Sequence, residues 1–344
     1  MRAVVLHSAG DLRVEDRAAP AAEDEGVRVR IEAGGICGSD LHYYQHGGFG
    51  TTRVREPVIL GHEVAGTVLS APAGSAVAAG DAVALSPSRP CGTCAYCRAG
   101  LKIHCENMRF YGSAMPMPHI QGAFRDEIVA LPEQCFRLGI GTSVQIGAFA
   151  EPLAVVLHAR RRAGSLAGKR VLITGCGPIG ALAILAAREA EASEIVVTDI
   201  VEEVLRTGAV LGADRVINVA EKTDWAKLYA RGKGYFDVMF EATGNAAALR
   251  DGMETLRPRA VLMQVGLGGN VTIPQNTVVT KELDVRGAFR FHEEFGEAVD
   301  ALTSGRIDVV PLLTRSFRVE DVVEAFRFAG DRRQSMKVQL DFTA

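Results

Sequence analysis

The sequence lacks long apolar runs and clusters of positive charge. No apolar stretch approaches the ~18 residues that would cross a bilayer, so no membrane span is expected. Lys and Arg number 38 against 41 Asp and Glu, and the resulting net charge of −3 makes nucleic acid an improbable partner. The start of the chain enters a strand-like run, Ala3–Leu6, without the apolar core of a signal peptide. We therefore expect a cytoplasmic protein that binds small molecules.

Internal repeats and low-complexity segments are also missing. The 344 residues exceed what one hydrophobic core comfortably organises, so two domains are the natural expectation. Hydrophobic residues make up 48% and charged residues 23%, which is typical of a globular protein rather than a disordered or fibrous one.

Cysteine is present, but not in the arrangement of a secreted disulfide scaffold. The count of seven is odd, and four of them are crowded into one loop with the spacing C-x2-C-x2-C-x7-C: Cys91, Cys94, Cys97 and Cys105. Such a cluster in a reducing compartment favours a metal. An iron–sulfur cluster is the competing interpretation, but the long last spacing and the absence of a following proline favour zinc. Four thiolates leave no open position, so this zinc would be structural.

The first part of the chain reads as β-rich. Residues 27–33 alternate apolar and polar side chains, as in a half-buried antiparallel strand. Glu63–Ser70, Ala79–Leu85 and Ala123–Leu131 are shorter runs of the same kind. The pattern changes near residue 150, where Ala150–Ala163 has helical spacing with Pro152 in its first turn.

From residue 170 strands and helices alternate, which predicts a parallel, doubly wound sheet. The strands are expected at Arg170–Thr174, Glu194–Thr198, Arg215–Asn218, Phe236–Glu241, Ala260–Val265 and Leu283–Ala288, with a helix at Ile179–Ala190. Helices at Glu293–Ser304 and Glu320–Ala329 and a strand at Met336–Phe342 then return the chain to the first domain. Residues 271–288 carry β-branched side chains and few charges, so they could place edge strands at a subunit interface.

A G-x-G-x-x-G motif joins the first of these strands to the helix. It comprises Gly175, Gly177 and Gly180, and Asp199 follows its last glycine by 19 residues. In this strand–turn–helix context the motif predicts a dinucleotide site with the pyrophosphate at the helix N-terminus. Asp199 would accept hydrogen bonds from the adenosine ribose, which favours NAD over NADP. Glu203 adds negative charge, and no basic residue follows Asp199 before Arg206.

The stretch from Cys37 to Glu63 supplies a thiol, an imidazole and a carboxylate, in Cys37, His62 and Glu63. All three side-chain types bind zinc. Taken singly, a lone Cys or His is more commonly a packing or surface residue. The four-Cys loop and the nucleotide motif give the stretch its interpretation as an open, catalytic metal site.

Together these motifs resemble the zinc-dependent medium-chain dehydrogenases/reductases. The matching stretches are G-I-C-G-S-D-L-H from Gly35, G-H-E from Gly61, the four-Cys loop, E-P-L from Glu151 and the glycine motif, in the family's order along essentially the whole chain. The resemblance implies an α/β fold: a GroES-like β-rich catalytic domain at 1–150, a Rossmann domain at 151–288 and a C-terminal return at 289–344. Carboxylates at Glu63 and Glu151 resemble the sorbitol-type branch, which acts on polyols and sugar acids. Stretches around Met108–Met115, Phe149–Val155 and Phe326–Asp331 resemble a sugar-acid enzyme within it.

The resemblance also implies roles for individual residues. Cys37, His62 and Glu63 would bind the catalytic zinc, with Glu151 either as fourth ligand or bonded to a bound water, and Asp40 would support His62. Ser39 and His42 would relay a proton, Ser39 toward the nicotinamide ribose and His42 toward solvent. The nucleotide site would comprise Gly175, Gly177, Pro178, Ile179, Gly180, Asp199, Val265, Leu267 and Phe289. Candidates for contacts with substrate are Tyr43, Arg109, His119 and Arg290, the arginines because they suit a carboxylate.

Two departures from the family pattern bear on specificity. Ile200 and Val201 stand where NADP-tolerant members carry a basic residue, and Phe291 stands where sorbitol-type enzymes have Tyr. Sorbitol, xylitol and threonine-type substrates stay open beside a sugar acid. From another class, a nucleotide-sensing protein without catalysis would have lost zinc ligands, and a structural zinc module would leave the glycine motif unused. Family members are dimers or tetramers, which implies a homo-oligomer here.

Overall fold

The computed structural model describes residues 1–20 and 26–343, and the chain forms two compact units. The first unit comprises Met1–Ala154, Phe291–Asp331 and Lys337–Ala344, and the second comprises Val155–Arg290 and Arg332–Met336.

The helices and strands of the described chain are numbered in chain order. The α-helices are α1 Gly38–His46, α2 Ala95–Arg98, α3 Val144–Gly147, α4 Ala150–Ala163, α5 Pro178–Glu189, α6 Glu202–Val210, α7 Trp225–Tyr229, α8 Ala246–Thr255, α9 Gln275–Thr280, α10 Glu294–Thr303 and α11 Val322–Gly330. The strands are β1 Arg2–Ser8, β2 Asp11–Asp16, β3 Val27–Gly35, β4 Gly48–Phe49, β5 Thr52–Arg53, β6 Val58–Ile59, β7 Glu63–Ser70, β8 Ala82–Leu85, β9 Ser88–Arg89, β10 Arg109–Phe110, β11 Glu127–Ala130, β12 Cys135–Arg137, β13 Arg170–Thr174, β14 Glu194–Asp199, β15 Arg215–Asn218, β16 Phe236–Glu241, β17 Leu256–Gln264, β18 Asp284–Gly287, β19 Leu313–Arg318 and β20 Lys337–Asp341.

A seven-stranded sheet organises the first unit. Its order is β12-β8-β7-β3-β20-β19, with β11 also paired to β3. The alternation along β3 buries Val27, Val29 and Ile31 in the core of this unit, and its polar side chains are partly or fully solvent-exposed. A smaller sheet, β2-β1-β6, packs into the same core.

Two pairings of β3 position the residues of greatest interest. Strand β7 runs antiparallel to β3 with Gly35 opposite Glu63. On its other side β20 pairs antiparallel, with Gln339 opposite Gly35. The C-terminal strand therefore lies beside the strand that leads to Cys37, although almost the whole chain separates them in sequence.

The second unit is built on a six-stranded parallel sheet in the order β15-β14-β13-β16-β17-β18. Strand order reverses between β13 and β16, as in doubly wound sheets that bind ligands where the order reverses. Strand β13 is buried apart from Arg170, and its residues Val171, Leu172 and Ile173 are apolar, as expected for a central parallel strand. The predicted parallel, doubly wound fold is confirmed.

Two differences from the sequence-based expectations concern helices. Residues 275–280, within the segment expected to form edge strands, are helical (α9), and the one strand that the structure describes in this segment, β18, lies at an edge of the parallel sheet. Helix α1 was not expected from the motif around Cys37, because its polar and charged residues show no apolar periodicity. In the part of the chain that the structure describes, no helix is long and apolar enough to span a membrane.

Candidate metal and nucleotide sites

Three possible zinc ligands meet at the start of α1 and β7. One ligand atom each from Cys37, His62 and Glu63 lies within 4.8 Å of the others. Cys37 immediately precedes α1, and Glu63 opens β7. His62 and Glu63 are 6% and 1% exposed, so the group is enclosed by the first unit. Sulfur, nitrogen and oxygen donors in one buried group suit zinc.

Asp40 fixes the backbone on both sides of this group. Its Oδ2 accepts a hydrogen bond from the N–H of Cys37 at 3.0 Å, and its Oδ1 accepts one from the N–H of Gly61 at 3.4 Å. The nearest approach to the His62 ring is 3.8 Å, from Oδ1 to Nδ1, which exceeds a hydrogen bond. Asp40 therefore holds the backbone of the two ligand-bearing segments, rather than bonding directly to His62, which the resemblance implied it would support.

Lys337 is the residue at this site that sequence reasoning missed. The first residue of β20, it is 3% exposed, and its ammonium pairs with Glu63 Oε2 and donates to the carbonyl of Ile36 at 3.0 Å. Gly35 makes room for the pair, because a Cβ there would lie 2.2 Å from Glu63 Oε2 and 3.1 Å from Lys337 Cε. The only signal in the sequence is a lysine at the start of the last strand, β20.

Burial sets the charges in this group. It raises the pKa of the Cys37 thiol to about 12, and the Glu63 carboxylate adds to the effect. Although burial opposes it, the contact with Glu63 raises the pKa of Lys337, which stays protonated. Cys37 is therefore a thiol even with the Lys337 ammonium nearby, unless a metal cation binds. A divalent metal would stabilise the thiolate, so the donor set fits zinc.

Glu151 lies close enough to act electrostatically, but it is not one of the group within 4.8 Å. It stands in the first turn of α4 and is 6% exposed. Burial raises its pKa to about 8, and the nearby Glu63 and Cys37 add to the effect. This placement is compatible with a role through a bound water, one of the two options left open above.

The two proposed relay residues lie on α1. Ser39 is half-buried, and its hydroxyl interacts with the thiol of Cys37. His42 is exposed one helical turn later, with its ring centroid 6.0 Å from that of His46. Partial burial and then His46 lower the pKa of His42, so its neutral, proton-accepting form prevails at neutral pH.

The four cysteines of the loop form a second group. Their sulfur atoms lie within 4.8 Å of one another. Backbone N–H groups donate to Cys105 Sγ from Cys91 at 3.1 Å and from Asn107 at 3.3 Å. The N–H and hydroxyl of Thr93 lower the pKa of Cys91 to about 5, whereas burial raises that of Cys97 to about 12. Because the four cannot all ionise without a cation, the loop fits a closed structural zinc.

The glycine motif has the geometry that a dinucleotide requires. Gly175 has φ +89°, which suits glycine in a tight turn. A Cβ on Gly180 would lie 1.8 Å from the carbonyl oxygen of Gly175, so only glycine lets α5 pack here. Gly177 has no neighbour within 4 Å of such a Cβ, which leaves room for a pyrophosphate beside the helix N-terminus. Pro178 and Ile179 form the first turn of α5.

Asp199 ends β14 as expected, but its carboxylate is already engaged. Arg332 contacts it through Nη2 at 2.6 Å from Oδ2. The first basic residue after Asp199 in the chain is Arg206, but the cation that contacts Asp199 comes from a segment more than a hundred residues away. Arg206 itself points to Glu202, one turn earlier in α6.

The other expected nucleotide residues follow the last strands of the parallel sheet. Val265 is half-buried, and its N–H donates to the carbonyl of Glu241 at 2.9 Å. Leu267 and Phe289 are 71% and 37% exposed, so their side chains are available to a ligand of this unit. Their roles stay predictions.

The four proposed substrate residues differ in their availability. Both ring nitrogens of His119 are occupied, because Nδ1 lies 2.8 Å from the carbonyl of Pro116 and Nε2 accepts from the N–H of Arg55 at 2.9 Å. Tyr43 is 3% exposed, and its hydroxyl accepts from the N–H of Ala114 at 3.2 Å. These contacts indicate structural roles.

The two arginines are more accessible. Arg109 is exposed on β10. Arg290 is half-buried in the second unit, has φ +54°, and places its guanidinium 5.0 Å above the ring of Phe289. Phe291 is fully buried in the first unit, between Phe110 and Phe295, and carries no hydroxyl.

Comparisons with known proteins agree with these two sites. Residues 23–157 match the family model described as alcohol dehydrogenase GroES-like domain, and residues 178–304 match that described as zinc-binding dehydrogenase. L-idonate 5-dehydrogenase (NAD(P)(+)) of Escherichia coli is 43% identical over 93% of this chain and 92% of its own. Sorbitol dehydrogenase of Gallus gallus is 35% identical over 98% and 95%.

Solved structures give the same result. The crystal structure of the Escherichia coli L-idonate 5-dehydrogenase superimposes with a TM-score of 0.95 at 41% identity, covering 99% of this chain and 98% of that one. A putative zinc-binding dehydrogenase from Sinorhizobium meliloti, bound to NADP, has a TM-score of 0.90 at 28% identity and the same coverage. With a GroES-like domain, a nucleotide-binding sheet and two groups of zinc-binding side chains, this chain belongs to the zinc-dependent medium-chain dehydrogenase/reductase family.

Proposed function

We propose that this protein oxidises a secondary alcohol of a sugar acid, L-idonate, to 5-keto-D-gluconate with NAD as hydride acceptor. The observation that supports this most directly is the Cys37–His62–Glu63 group, which combines a single thiol with an imidazole and a carboxylate. The 43% identity to a relative named for L-idonate supports the choice of substrate. Net reaction moves a hydride to the nicotinamide and releases one proton.

Cys37, His62 and Glu63 would hold a catalytic zinc, with Glu151 as a further ligand or as the acceptor of a hydrogen bond from a bound water. When bound, zinc would act as a Lewis acid that lowers the pKa of the substrate hydroxyl toward neutrality. Asp40 keeps the two ligand-bearing loops in place through the amides of Cys37 and Gly61.

The released proton leaves through α1. Ser39 lies beside the thiol of Cys37 and would pass the proton onward, and His42 would deliver it to solvent from its exposed position. Because the pKa of His42 is lowered by partial burial, its neutral ring can accept a proton at neutral pH.

A site that binds the carboxylate of a sugar acid is expected to contain a cationic side chain. Arg109 and Arg290 remain the candidates, since a guanidinium pairs with a carboxylate through two hydrogen bonds. Tyr43 and His119 are weaker candidates, because their polar atoms already have partners. A sorbitol-type polyol dehydrogenase is the alternative, but Phe291 offers no hydroxyl to a neutral polyol.

The glycine motif and Asp199 would bind NAD, with Val265, Leu267 and Phe289 completing the nucleotide site and NADP as the weaker coenzyme. We also propose that residues 1–150 form the catalytic domain, 151–288 the coenzyme domain and 289–344 the return to the catalytic domain. All seven cysteines are unpaired in the described chain, which supports a cytoplasmic location.

A homodimer or homotetramer is proposed from the edge of the parallel sheet. Strand β18 is an edge strand, and Val285 on it is 46% exposed. Val279 and Ile273, in the residues just before it, are 66% and 41% exposed, which together suggest an apolar patch that a second copy could cover. The mass in solution by light scattering tests this, and a monomer would refute it.

The experiment for substrate is a panel of aldonates and polyols with NAD and with NADP, followed by absorbance of the reduced nicotinamide. We expect kcat/KM for L-idonate to exceed that for sorbitol and xylitol by at least about tenfold, because a paired carboxylate contributes roughly 1.5 kcal/mol or more. Turnover of sorbitol without turnover of idonate would overturn the substrate but leave the family assignment intact.

A further inference from the structure

The carboxylate of Asp199 has no acceptor site left for a ribose hydroxyl. Its Oδ1 accepts from the N–H groups of Ile200 at 2.7 Å and Val201 at 3.1 Å. Its Oδ2 accepts from the N–H of Cys176 at 2.7 Å and from Arg332 at 2.6 Å. A carboxylate offers about four lone-pair sites, so all of them are in use.

Of these four donors Arg332 is the one that can leave. The other three are backbone amides, one from the glycine motif and two from the chain directly after β14. Arg332 is a side chain that is 45% exposed, while the Asp199 side chain is 3% exposed. Among the described residues, Asp199 is the only hydrogen-bonding or ion-pair partner assigned to Arg332.

We propose that Arg332 is the residue that binds the 2′-phosphate of NADP and so decides how the coenzyme site divides between NADP and NAD. The proposal deepens the proposed function, because it rests on the glycine motif and Asp199 binding the adenosine half of a nicotinamide coenzyme. In doubly wound folds the acid at the end of the second strand lies beside the ribose 2′ position, where a bare carboxylate would repel a phosphate. Here the guanidinium neutralises Asp199 and offers further N–H donors at the same place.

Arg332 therefore has opposite effects on the binding of the two coenzymes. A 2′-phosphate gains a charge-assisted partner from it. A ribose hydroxyl has to share Asp199 with it or displace it. The exposed Glu202 and Glu203 in the first turn of α6 still oppose a phosphate, which keeps NADP the weaker coenzyme while Arg332 prevents its exclusion.

A purely structural role makes a different prediction. If Arg332 only anchored the segment 332–336 to the second unit, its loss would loosen the neighbourhood of Asp199 and weaken both nucleotides alike. The ratio of two affinities, rather than either one alone, separates the two roles.

The test is calorimetric binding of adenosine 2′,5′-bisphosphate and of 5′-AMP to the full-length, zinc-loaded protein. We expect Arg332→Met to weaken the bisphosphate by about 10- to 100-fold, the loss of a charge-assisted phosphate contact. Binding of 5′-AMP should stay unchanged or become tighter, because one acceptor site of Asp199 is released. Arg332→Lys, which keeps the charge but not the fork, should be intermediate.

Arg206→Met is the matched control, because it removes a positive charge from α6 close to Asp199 in sequence and should leave the ratio of the two affinities unchanged. If Arg332→Met does not fold, Arg332→Gln keeps a donor to Asp199 without the charge and is expected to show the same selective loss. An unchanged ratio, or an equal loss for both probes, would overturn the proposal. The probes need no turnover, so a failure of the idonate assignment in the substrate panel would be seen separately.

Discussion

At the scale of single residues, the buried group formed by Cys37, His62 and Glu63 depends on its contact with Lys337. Glu63 is 1% exposed, and an unpaired carboxylate at that depth would be strongly disfavoured. The Lys337 ammonium supplies the counter-charge and is itself held by the carbonyl of Ile36. This pair compensates the burial of the Glu63 side chain, and one of its carboxylate oxygens is held by the first residue of β20.

We predict that Lys337→Met destabilises the metal-free protein. Breaking a buried ion pair from one side costs about 3–5 kcal/mol, which corresponds to a fall of roughly 10 °C in the unfolding midpoint. Added zinc should raise the midpoint of the variant more than that of the wild type, because the metal restores a positive charge beside Glu63. Differential scanning calorimetry of both proteins, with and without zinc, measures this.

Lys281→Met serves as the control. Its ammonium also donates to backbone carbonyls, those of Glu254 and Leu256, both at 2.7 Å, but it lies in the other unit. A shift of similar size and zinc dependence in both variants would mean that Lys337 has no special connection with the metal group.

The two residues that could not be predicted from the sequence were missed for the same reason. Lys337 and Arg332 both act on acids far away in the sequence, Glu63 and Asp199, and no local motif signals such pairs. That Cys37, His62 and Glu63 lie together could be predicted, because they stand in short local motifs made of side chains that bind zinc. His119 shows the limit of that method, since only the structure shows that its ring nitrogens are occupied.

At the scale of secondary-structure elements, two glycines of the strand–turn–helix motif are needed for different reasons. Gly180 is required for packing, because a side chain would collide with the Gly175 carbonyl. Gly177 has a backbone conformation open to other residues, φ −73° and ψ −173°, and empty space where its side chain would lie.

We predict opposite outcomes for alanine at these two positions. Gly177→Ala should fold with an unchanged thermal midpoint but bind NAD about tenfold or more weakly, because the methyl group occupies the space of the pyrophosphate. Gly180→Ala should lower the midpoint by several degrees, since α5 must move off β13. Calorimetry and NAD titration of the two variants check this. A normal NAD affinity in Gly177→Ala would mean that the coenzyme does not pass over this loop.

Most elements of the parallel sheet could be predicted because their signals are local. Apolar runs of strand length, bounded by glycine and acids, gave β13, β14, β15 and β16 within a residue. The segment 271–288 was harder, because β-branched residues at 275–280 favour strands intrinsically while the fold places them in a short helix. Strand β17 begins at Leu256, four residues before the expected start.

At the scale of the whole molecule, the first unit contains two groups of possible metal ligands, and their donor atoms differ. The four-Cys loop can form a closed thiolate tetrahedron, whereas the Cys37 group combines one thiol with an imidazole and a carboxylate. Thiolates hold zinc more tightly than carboxylates do, so the two sites should lose metal at different chelator concentrations. We therefore expect the more easily removed zinc to be the catalytic one and the more resistant zinc to be the structural one.

The most direct test of this account is L-idonate turnover with NAD, measured during stepwise removal of zinc by a chelator with the metal content determined at each step. Activity should fall to zero as the content falls from two zinc ions per chain to one, and return when that ion is restored. Full activity at one zinc per chain, or inactivation only when the second is lost, would contradict the assignment of Cys37, His62 and Glu63 as the catalytic metal centre.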